Sequence, residues 1–306
     1  MSILVIGSVN IDVVTYARRL PRPGESFKGD RYAMVLGGKG ANQAVAAARL
    51  GARVDLVGRV GGDPFGALAE RRLSELGVAT RYLQVDPQHP TGLAAINVIA
   101  SGENFITVIA GANQAVDPDC VAGIAPLLDA TKVLLMQLEV PLDASLIAAR
   151  RARAAGALVV LDPAPIPDCP LPDAVFGLVD VMTPNELETE ALVGIRPATA
   201  AQAAQAARAL TDRGIAIAIV KMGANGVYFR GPDVEGYWPR FPVTAIDTVA
   251  AGDCFNGGLA VAMARGDGLA QAVRFAAACG ALATTRRGAS DAAPVLAEVE
   301  ALLASS

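Results

Sequence analysis

Short β-rich apolar runs recur along the chain at Ile3–Val9, Val54–Val57, Val133–Leu138, Leu158–Leu161, Val179–Met182 and Ile215–Val220, and alanine-rich stretches fill much of the space between them. The stretches Ala41–Leu50, Pro64–Leu76, Asp143–Ala155 and Thr199–Arg213 are predicted helices, with Thr199 placed to cap the last. Strand and helix alternate. That rhythm predicts an α/β fold with a mostly parallel sheet covered on both faces.

Two segments break the rhythm. Ile11–Leu36 is rich in proline, glycine and charge, and Thr91–Val108 reads as strands about the turn Ser101-Gly102-Glu103-Asn104. They are expected to pair as a small separate sheet. The last third predicts a hairpin over Gly226–Trp238 and two helices, Gly252–Arg265 and Leu269–Thr285. No repeat or low-complexity tract interrupts this order, and the Ala/Gln bias of Ala200–Ala209 is a helix face.

Composition narrows the classes. With 306 residues the chain can bury a large core, and its length suits one main domain with an appendage. Much of the 53% hydrophobic content is alanine and only 5% is aromatic, which suits helices packed closely on a sheet. The chain has no uncharged apolar run of about 18 residues, and no basic segment precedes the first apolar run, so membrane insertion and export are not expected. Cys120, Cys169, Cys254 and Cys279 are widely spaced, which points to a reducing cytoplasm. A net charge of −4 without a long basic run gives no footprint for nucleic acid. His89 is the sole histidine, which removes most histidine-dependent triads and metal sites.

Open α/β sheets bind ligands beyond the carboxyl ends of their strands, so polar residues just after the apolar runs are the first candidates. Asn10 and Asp12 follow the first run, Glu139 the third, and Asn185 and Glu188 the fifth; each also fits a turn or helix cap. Gly37-Gly38-Lys39-Gly40-Ala41-Asn42-Gln43-Ala44 sets glycines and a lysine before a helix, where backbone amides can approach a ligand or simply turn the chain. It is neither a Walker A loop, because Gly40 stands where Ser or Thr is required, nor Gly-x-Gly-x-x-Gly, because Gln43 fills the last position. In Asp247–Gly258 the small residues Ala250, Ala251 and Gly252 let amides converge at a helix start into an anion cradle. Asp253 in that cradle reads either as a cap or as a base within reach of an attacking hydroxyl. Lys221-Met222-Gly223-Ala224-Asn225-Gly226 follows a strand and fits a nucleotide-side turn or a plain hairpin.

Taken together and in order, these motifs resemble the ribokinase and phosphofructokinase-B family of carbohydrate kinases. The matches are Gly7–Asp12, Pro21–Glu25, Gly37–Ala44, Ala110–Asn113, Met136–Glu139, Asp162–Pro165, Thr183–Glu186 and Asp247–Gly257, and they span nearly the whole chain. The resemblance implies a doubly wound α/β domain over residues 1–306 with a small β-sheet lid formed by about 11–36 and 91–108, and a homodimer clasped through the lid. It implies ATP-dependent phosphorylation of ribose at its primary 5-hydroxyl. Asn10, Asp12, Gly38, Lys39, Asn42 and Glu139 would hold the sugar, Asp253 would be the catalytic base, and the amides of Ala250–Asp253 the anion hole. ATP would lie along Lys221–Gly226, with Asn185, Gly252 and Asp253 at its phosphates and Ala277 near adenine. Asn185 and Glu188 would organise Mg²⁺ largely through water. A monovalent cation, potassium, would take carbonyls of Asp247, Val249, Ala283, Arg286 and Gly288.

The chain departs from the family pattern twice. Ala277 stands where some members have a histidine near adenine, and Ala292 where a serine often completes the cation shell. Within the class, 2-deoxyribose, fructose or a nucleoside are the competing substrates. A non-catalytic sugar or nucleotide sensor would need no base at Asp253, and a nicotinamide oxidoreductase lacks its glycine fingerprint.

Overall fold

The computed structural model describes residues 2–166 and 169–305. Thirteen strands run in chain order: β1 (Ser2–Ile6), β2 (Asn10–Ala17), β3 (Arg31–Gly37), β4 (Arg53–Gly61), β5 (Ala79–Asp86), β6 (Gly92–Ile99), β7 (Asn104–Ile109), β8 (Val133–Met136), β9 (Leu158–Leu161), β10 (Val181–Met182), β11 (Ile217–Lys221), β12 (Val227–Arg230) and β13 (Glu235–Trp238). The helices are α1 (Lys39–Arg49), α2 (Pro64–Glu75), α3 (Pro118–Ala122), α4 (Ala125–Ala130), α5 (Leu142–Ala154), α6 (Asp173–Leu178), α7 (Glu186–Val193), α8 (Ala200–Asp212), α9 (Ala251–Arg265), α10 (Leu269–Ala283) and α11 (Leu296–Ala304).

Nine strands form one sheet in the order β13-β12-β11-β10-β9-β8-β1-β4-β5, parallel from β5 to β11 and antiparallel over the last hairpin. Each central strand is buried on both faces. Ile3 and Val5 of β1 and Val133 and Leu135 of β8 face one core with α1, α2, α9, α10 and α11. Leu4, Ile6, Leu134 and Met136 face the other, with α3, α4, α5, α6 and α8. The period-2 alternation of strand side chains thus feeds two helix layers from one sheet, which is why these runs are apolar throughout.

Alanine and glycine let the layers close up. A Cβ on Gly257 of α9 would come within 2.6 Å of Ala46 Cβ on α1, and one on Gly258 within 2.6 Å of Cys279 Sγ on α10. A larger residue at either place would push α9 off its neighbours, a shift that typically costs about 1–3 kcal/mol. The high alanine content is the compositional trace of this tight packing.

The two segments that broke the rhythm do pair. They form a four-stranded sheet, β3-β2-β6-β7, in which β2 runs parallel to β6 and antiparallel to β3. Most predicted bounds fall within two residues of those observed, and Thr199 caps α8 by accepting from Gln202 N at 3.3 Å. The exceptions are β1, which stops at Ile6 because the chain leaves the sheet there to line the site, and β4, which runs on to Gly61 beside β5. No helix among the described residues is long and apolar enough to cross a membrane.

Candidate active site

From β1 the chain order builds the sheet outward in both directions, towards β4 and β5 on one side and β8 to β11 on the other. Such a switch point opens a crevice beyond the carboxyl ends of the strands. Gly7–Val9 leads from β1 straight into β2 of the small sheet, so Asn10 and Asp12 stand over that crevice. Asn113 fixes the corner: its Oδ1 accepts from Val9 N at 2.8 Å and its Nδ2 donates to Asn10 Oδ1 at 2.7 Å. Across from it, Glu139 Oε2 accepts from Lys39 N at 2.9 Å and from the Ser8 hydroxyl. Gly38 is needed here because its φ is 88° and a Cβ would meet Asn10 N and Ser8 O at 2.9 Å.

Asp253 lies in the first turn of α9, buried to 6% exposure. Ala250, just before the helix, is the one non-glycine residue with positive φ (57°) among the described residues. A left-handed alanine costs roughly 1–2 kcal/mol. It turns the chain so that the Gly252 and Asp253 amides, which have no partner inside the helix, are available to an anion, while the Ala251 amide donates to Thr248 O at 3.3 Å. Strain of this kind persists at sites where the backbone must hold a set shape. Asn42 Nδ2 donates to Asp253 Oδ2 at 3.0 Å and Gln43 Nε2 to Oδ1 at 3.1 Å. Burial lifts the Asp253 pKa, Lys39 and the amide donors pull it down, Asp162 pushes it up, and the balance is about 6. It is therefore a carboxylate at neutral pH with a usable affinity for a proton.

Lys39 joins the two sides of the site. Burial works against its charge, but the carboxylates of Asp253, Asp162, Glu139 and Glu188 outweigh this and raise its pKa. Asp12 is pushed up to about 6, by burial first and then by Glu139 and Asp253. The site thus concentrates more carboxylate than its lysines neutralise, and sugar hydroxyls are suitable partners for such acceptors.

Beyond Asp253 opens a cleft of about 630 Å³ lined by Lys39, Lys221, Gly223, Ala224, Gly226 and the Ala250–Asp253 turn, with Val227, Phe241, Val243, Phe255 and Ala277 as apolar walls. Lys221 Nζ pairs with Asp162 Oδ1 at 3.0 Å. Met222 turns into the core, and the Asn225 carbonyl accepts from the Tyr237 hydroxyl at 3.0 Å, so these two shape the turn while its neighbours line the cleft.

Asn185 and Glu188 bear out the cap reading. They form a capping box at the start of α7, with Glu188 N donating to Asn185 Oδ1 at 2.9 Å and Asn185 N to Glu188 Oε2 at 2.8 Å. Both also line the cleft. Burial raises the Glu188 pKa, and Lys221 opposes the rise. Both oxygens of Glu188 are already engaged, since Asn185 Nδ2 donates to Oε1 at 2.7 Å, so this pair fits a magnesium ion that keeps its own water shell. Among the described residues no group of three or more His, Cys, Asp or Glu is arranged as a direct metal cage.

The residues read as a monovalent-cation loop are gathered by Asp247. Its carboxylate accepts from Val249 N at 3.1 Å and Gly288 N at 3.3 Å, and its own amide donates to Thr284 O at 3.1 Å. Arg286 N lies 3.5 Å from Ala283 O, and the Arg286 guanidinium pairs with Glu298. Ala292 is buried in the turn that follows and brings no side-chain oxygen.

Several residues at the site escaped the sequence reading of roles. Gln43 entered it only as the residue that spoils a glycine fingerprint, yet its Nε2 bridges Asp253 and Asp162. Asp162 follows β9, so the rule that selected Glu139 selects it too. Gln137 entered only inside the motif Met136–Glu139, and Ser290 and the apolar walls Phe241 and Val243 carried no local signal.

The model of the pfkB family carbohydrate kinases matches residues 1–296. A ribokinase of Haemophilus influenzae is 38% identical over 297 residues, 97% of this chain and 96% of that protein. A deoxyribokinase of Salmonella typhimurium is 35% identical, covering 96% of each chain. A solved ribokinase of Arabidopsis thaliana, complexed with ribose and ATP, superposes with a TM-score of 0.91 at 31% identity over 98% of both chains. One from Thermotoga maritima gives 0.88 at 34% identity over 99% of both. The sheet order, the carboxylate at the start of α9 and these likenesses agree, and the chain belongs to the pfkB family of carbohydrate kinases.

Proposed function

We propose that this carbohydrate kinase transfers the γ-phosphoryl group of ATP to the primary 5-hydroxyl of D-ribose, giving ribose 5-phosphate and ADP. The observation that carries the reading is the position of Asp253, between the polar set around Lys39 and the cleft beyond it, with a pKa of about 6. Asn10, Asp12, Gly38, Lys39, Asn42 and Glu139 hold the sugar. Asp253 takes the proton of the 5-hydroxyl as that oxygen bonds to the γ-phosphorus, and ADP leaves with the electrons of the broken P–O bond. The amides from Ala250 to Asp253 and the ammonium of Lys221 offset charge on the transferred group. The apolar walls and Ala277 receive the base of ATP by packing. Magnesium, held through its waters by Asn185 and Glu188, would supply charge compensation at the phosphates. Potassium on the carbonyls of Asp247, Val249, Ala283, Arg286 and Gly288 would steady the turn that carries Ala250.

The small sheet acts as a lid and as a dimer surface. Supporting this, Tyr32 and Met34 of β3 and Phe105, Ile106, Val108 and Ile109 of β7 are exposed apolar residues on one small sheet. Sedimentation of Ile106→Asp at micromolar concentration is expected to give a monomer where the parent chain gives a dimer. The four cysteines are free, in keeping with a cytoplasmic protein.

The deoxyribokinase relatives favour 2-deoxyribose as a second reading. A coupled ADP-release assay over ribose, 2-deoxyribose, fructose and nucleosides, with and without K⁺, separates the two. Ribose is expected to give the highest kcat/KM, and a clear preference for another acceptor overturns the assignment.

A further inference from the structure

The motif Ala110–Asn113 is one of the family matches, and the reaction proposed above gives it no role. It opens the helical turn Gly111–Ala115 after β7, packed against β4 and β6. Asn113 is 2% exposed there, and its amide lies along the backbone of Val9: Oδ1 accepts from Val9 N at 2.8 Å and Nδ2 donates to Val9 O at 3.3 Å. A peptide N–H can only donate and a peptide carbonyl can only accept, so these two bonds leave the Asn113 amide one orientation. Turned about, it would set NH₂ against the Val9 N–H and carbonyl against carbonyl. Its second hydrogen goes to Asn10 Oδ1 at 2.7 Å. With that carbonyl taken, the NH₂ group of Asn10 is the free end, and among the described residues it meets no protein acceptor. Gly92, beside Asn10 in the β2–β6 register, makes room for the pair: a Cβ there would overlap both Asn10 Oδ1 and Asn113 Nδ2. Ala112 N donates to Pro90 O at 2.8 Å, which ties the approach to β6 to the same turn.

We propose that Asn113 is a positioning residue that fixes Asn10 with its NH₂ group toward the sugar, so that this position offers a hydrogen-bond donor and never an acceptor. The proposal rests on Asn10 being a sugar-binding residue, as in the reading above. Asp12 lies two residues on, on the same face of β2, and its ionised carboxylate only accepts. A sugar hydroxyl between them accepts from Asn10 and donates to Asp12. An ether or carbonyl oxygen could not do both, so the fixed order of donor and acceptor selects a hydroxyl. An Asn10 free to turn would present its carbonyl in part of the molecules, and the apparent affinity for ribose would fall by the fraction so lost.

The test is a double-mutant cycle read by calorimetric ribose binding to the full chain. Asn10→Ala is expected to raise the ribose Kd roughly tenfold to a hundredfold, and Asn113→Ala roughly threefold to tenfold, with ATP KM held within about twofold. The Kd of the double variant is expected to match that of Asn10→Ala, because Asn113 then has nothing left to orient. General damage to the corner would weaken ribose in both backgrounds, so losses that multiply in the double variant overturn the inference. If thermal melting and circular dichroism show Asn113→Ala unfolded, Asn10→Asp at about pH 8, where the new carboxylate is ionised, decides it. That variant keeps the oxygen addressed by Asn113 and puts a second oxygen where the NH₂ group stood. Its ribose affinity is expected to fall at least as far as that of Asn10→Ala, and parent-like or tighter binding overturns the inference. Asn10→Ala with the parent Kd overturns the sugar-site reading of Asn10 itself. A weakened Asn10→Ala beside a parent-like Asn113→Ala overturns only the inference.

Discussion

The two flanks of Asp253 are made of different materials. On the flank proposed for the sugar, charged and amide side chains from β2, α1 and the β8 loop converge, and Asn10 Oδ1, Glu139 Oε2 and both oxygens of Asp253 have named donors. On the flank proposed for ATP, the small residues Gly223, Gly226 and Ala250–Gly252 and aliphatic and aromatic walls line the cleft beside the charged side chains of Lys221, Glu186, Glu188 and Arg240. The first arrangement discriminates, because a buried acceptor left without its hydroxyl costs about 1–3 kcal/mol. The second takes up an anion and a flat ring with few side-chain demands. Substitutions on one flank should therefore leave the other flank's ligand almost untouched.

Short of removing the base, the largest effect is expected from Lys39→Met, which breaks the contrast because Lys39 serves both flanks. Its charge offsets Asp253, Asp162, Glu139 and Glu188, so kcat/KM should fall roughly 10²- to 10³-fold, the usual scale for a lost electrostatic donor at a reacting centre. Steady-state kinetics with each substrate varied would measure it, and both KM values should rise.

Asp12→Asn sharpens the contrast by separating affinity from stability. Ribose KM should rise roughly tenfold to a hundredfold while ATP KM stays put. The folded pKa of Asp12, about 6, lies above the ordinary aspartate value of 3.8. The folded protein thus binds the proton more tightly, and the ionised group costs stability fully above about pH 6 and not at all below about pH 4. Asp12→Asn should accordingly melt higher than the parent at pH 8, by roughly 1–3 kcal/mol in stability, with the gain vanishing as pH falls toward 4. An equal shift at both pH values would contradict the electrostatic cause.

The smallest effect is expected on the apolar wall. Val243→Ala should raise ATP KM roughly two- to fivefold through lost contact area, with ribose KM unchanged.

The same difference in materials explains what could be read from the chain alone. Glu139 follows a strand, Asp253 opens a helix and Asp12 follows the first apolar run at the start of β2, so their type and position both carry information. The large sheet was legible because burial on both faces demands apolar runs. The small sheet was legible from the break in rhythm at Ile11–Leu36 and Thr91–Val108. Gln43 was not, because its function exists only when α1 meets Asp162 and Asp253, 119 and 210 residues away in sequence. Ser290 reaches Asn42 across 248 residues, and no local pattern encodes such a contact. Phe241 and Val243 lie between β13 and α9 in a segment without periodicity, so nothing marked them as walls. Asn185 and Glu188 teach a different lesson: the side chains that cap α7 also line the cleft, so a cap reading does not exclude a place at the site.

The central claim is that Asp253 removes the proton from the acceptor hydroxyl. Turnover of Asp253→Asn with ribose and ATP, measured beside ribose binding by calorimetry, tests it most directly. kcat is expected to fall by about 10³-fold or more while the ribose Kd stays within a few-fold of the parent. A variant that binds ribose and keeps kcat within about tenfold of the parent would contradict it.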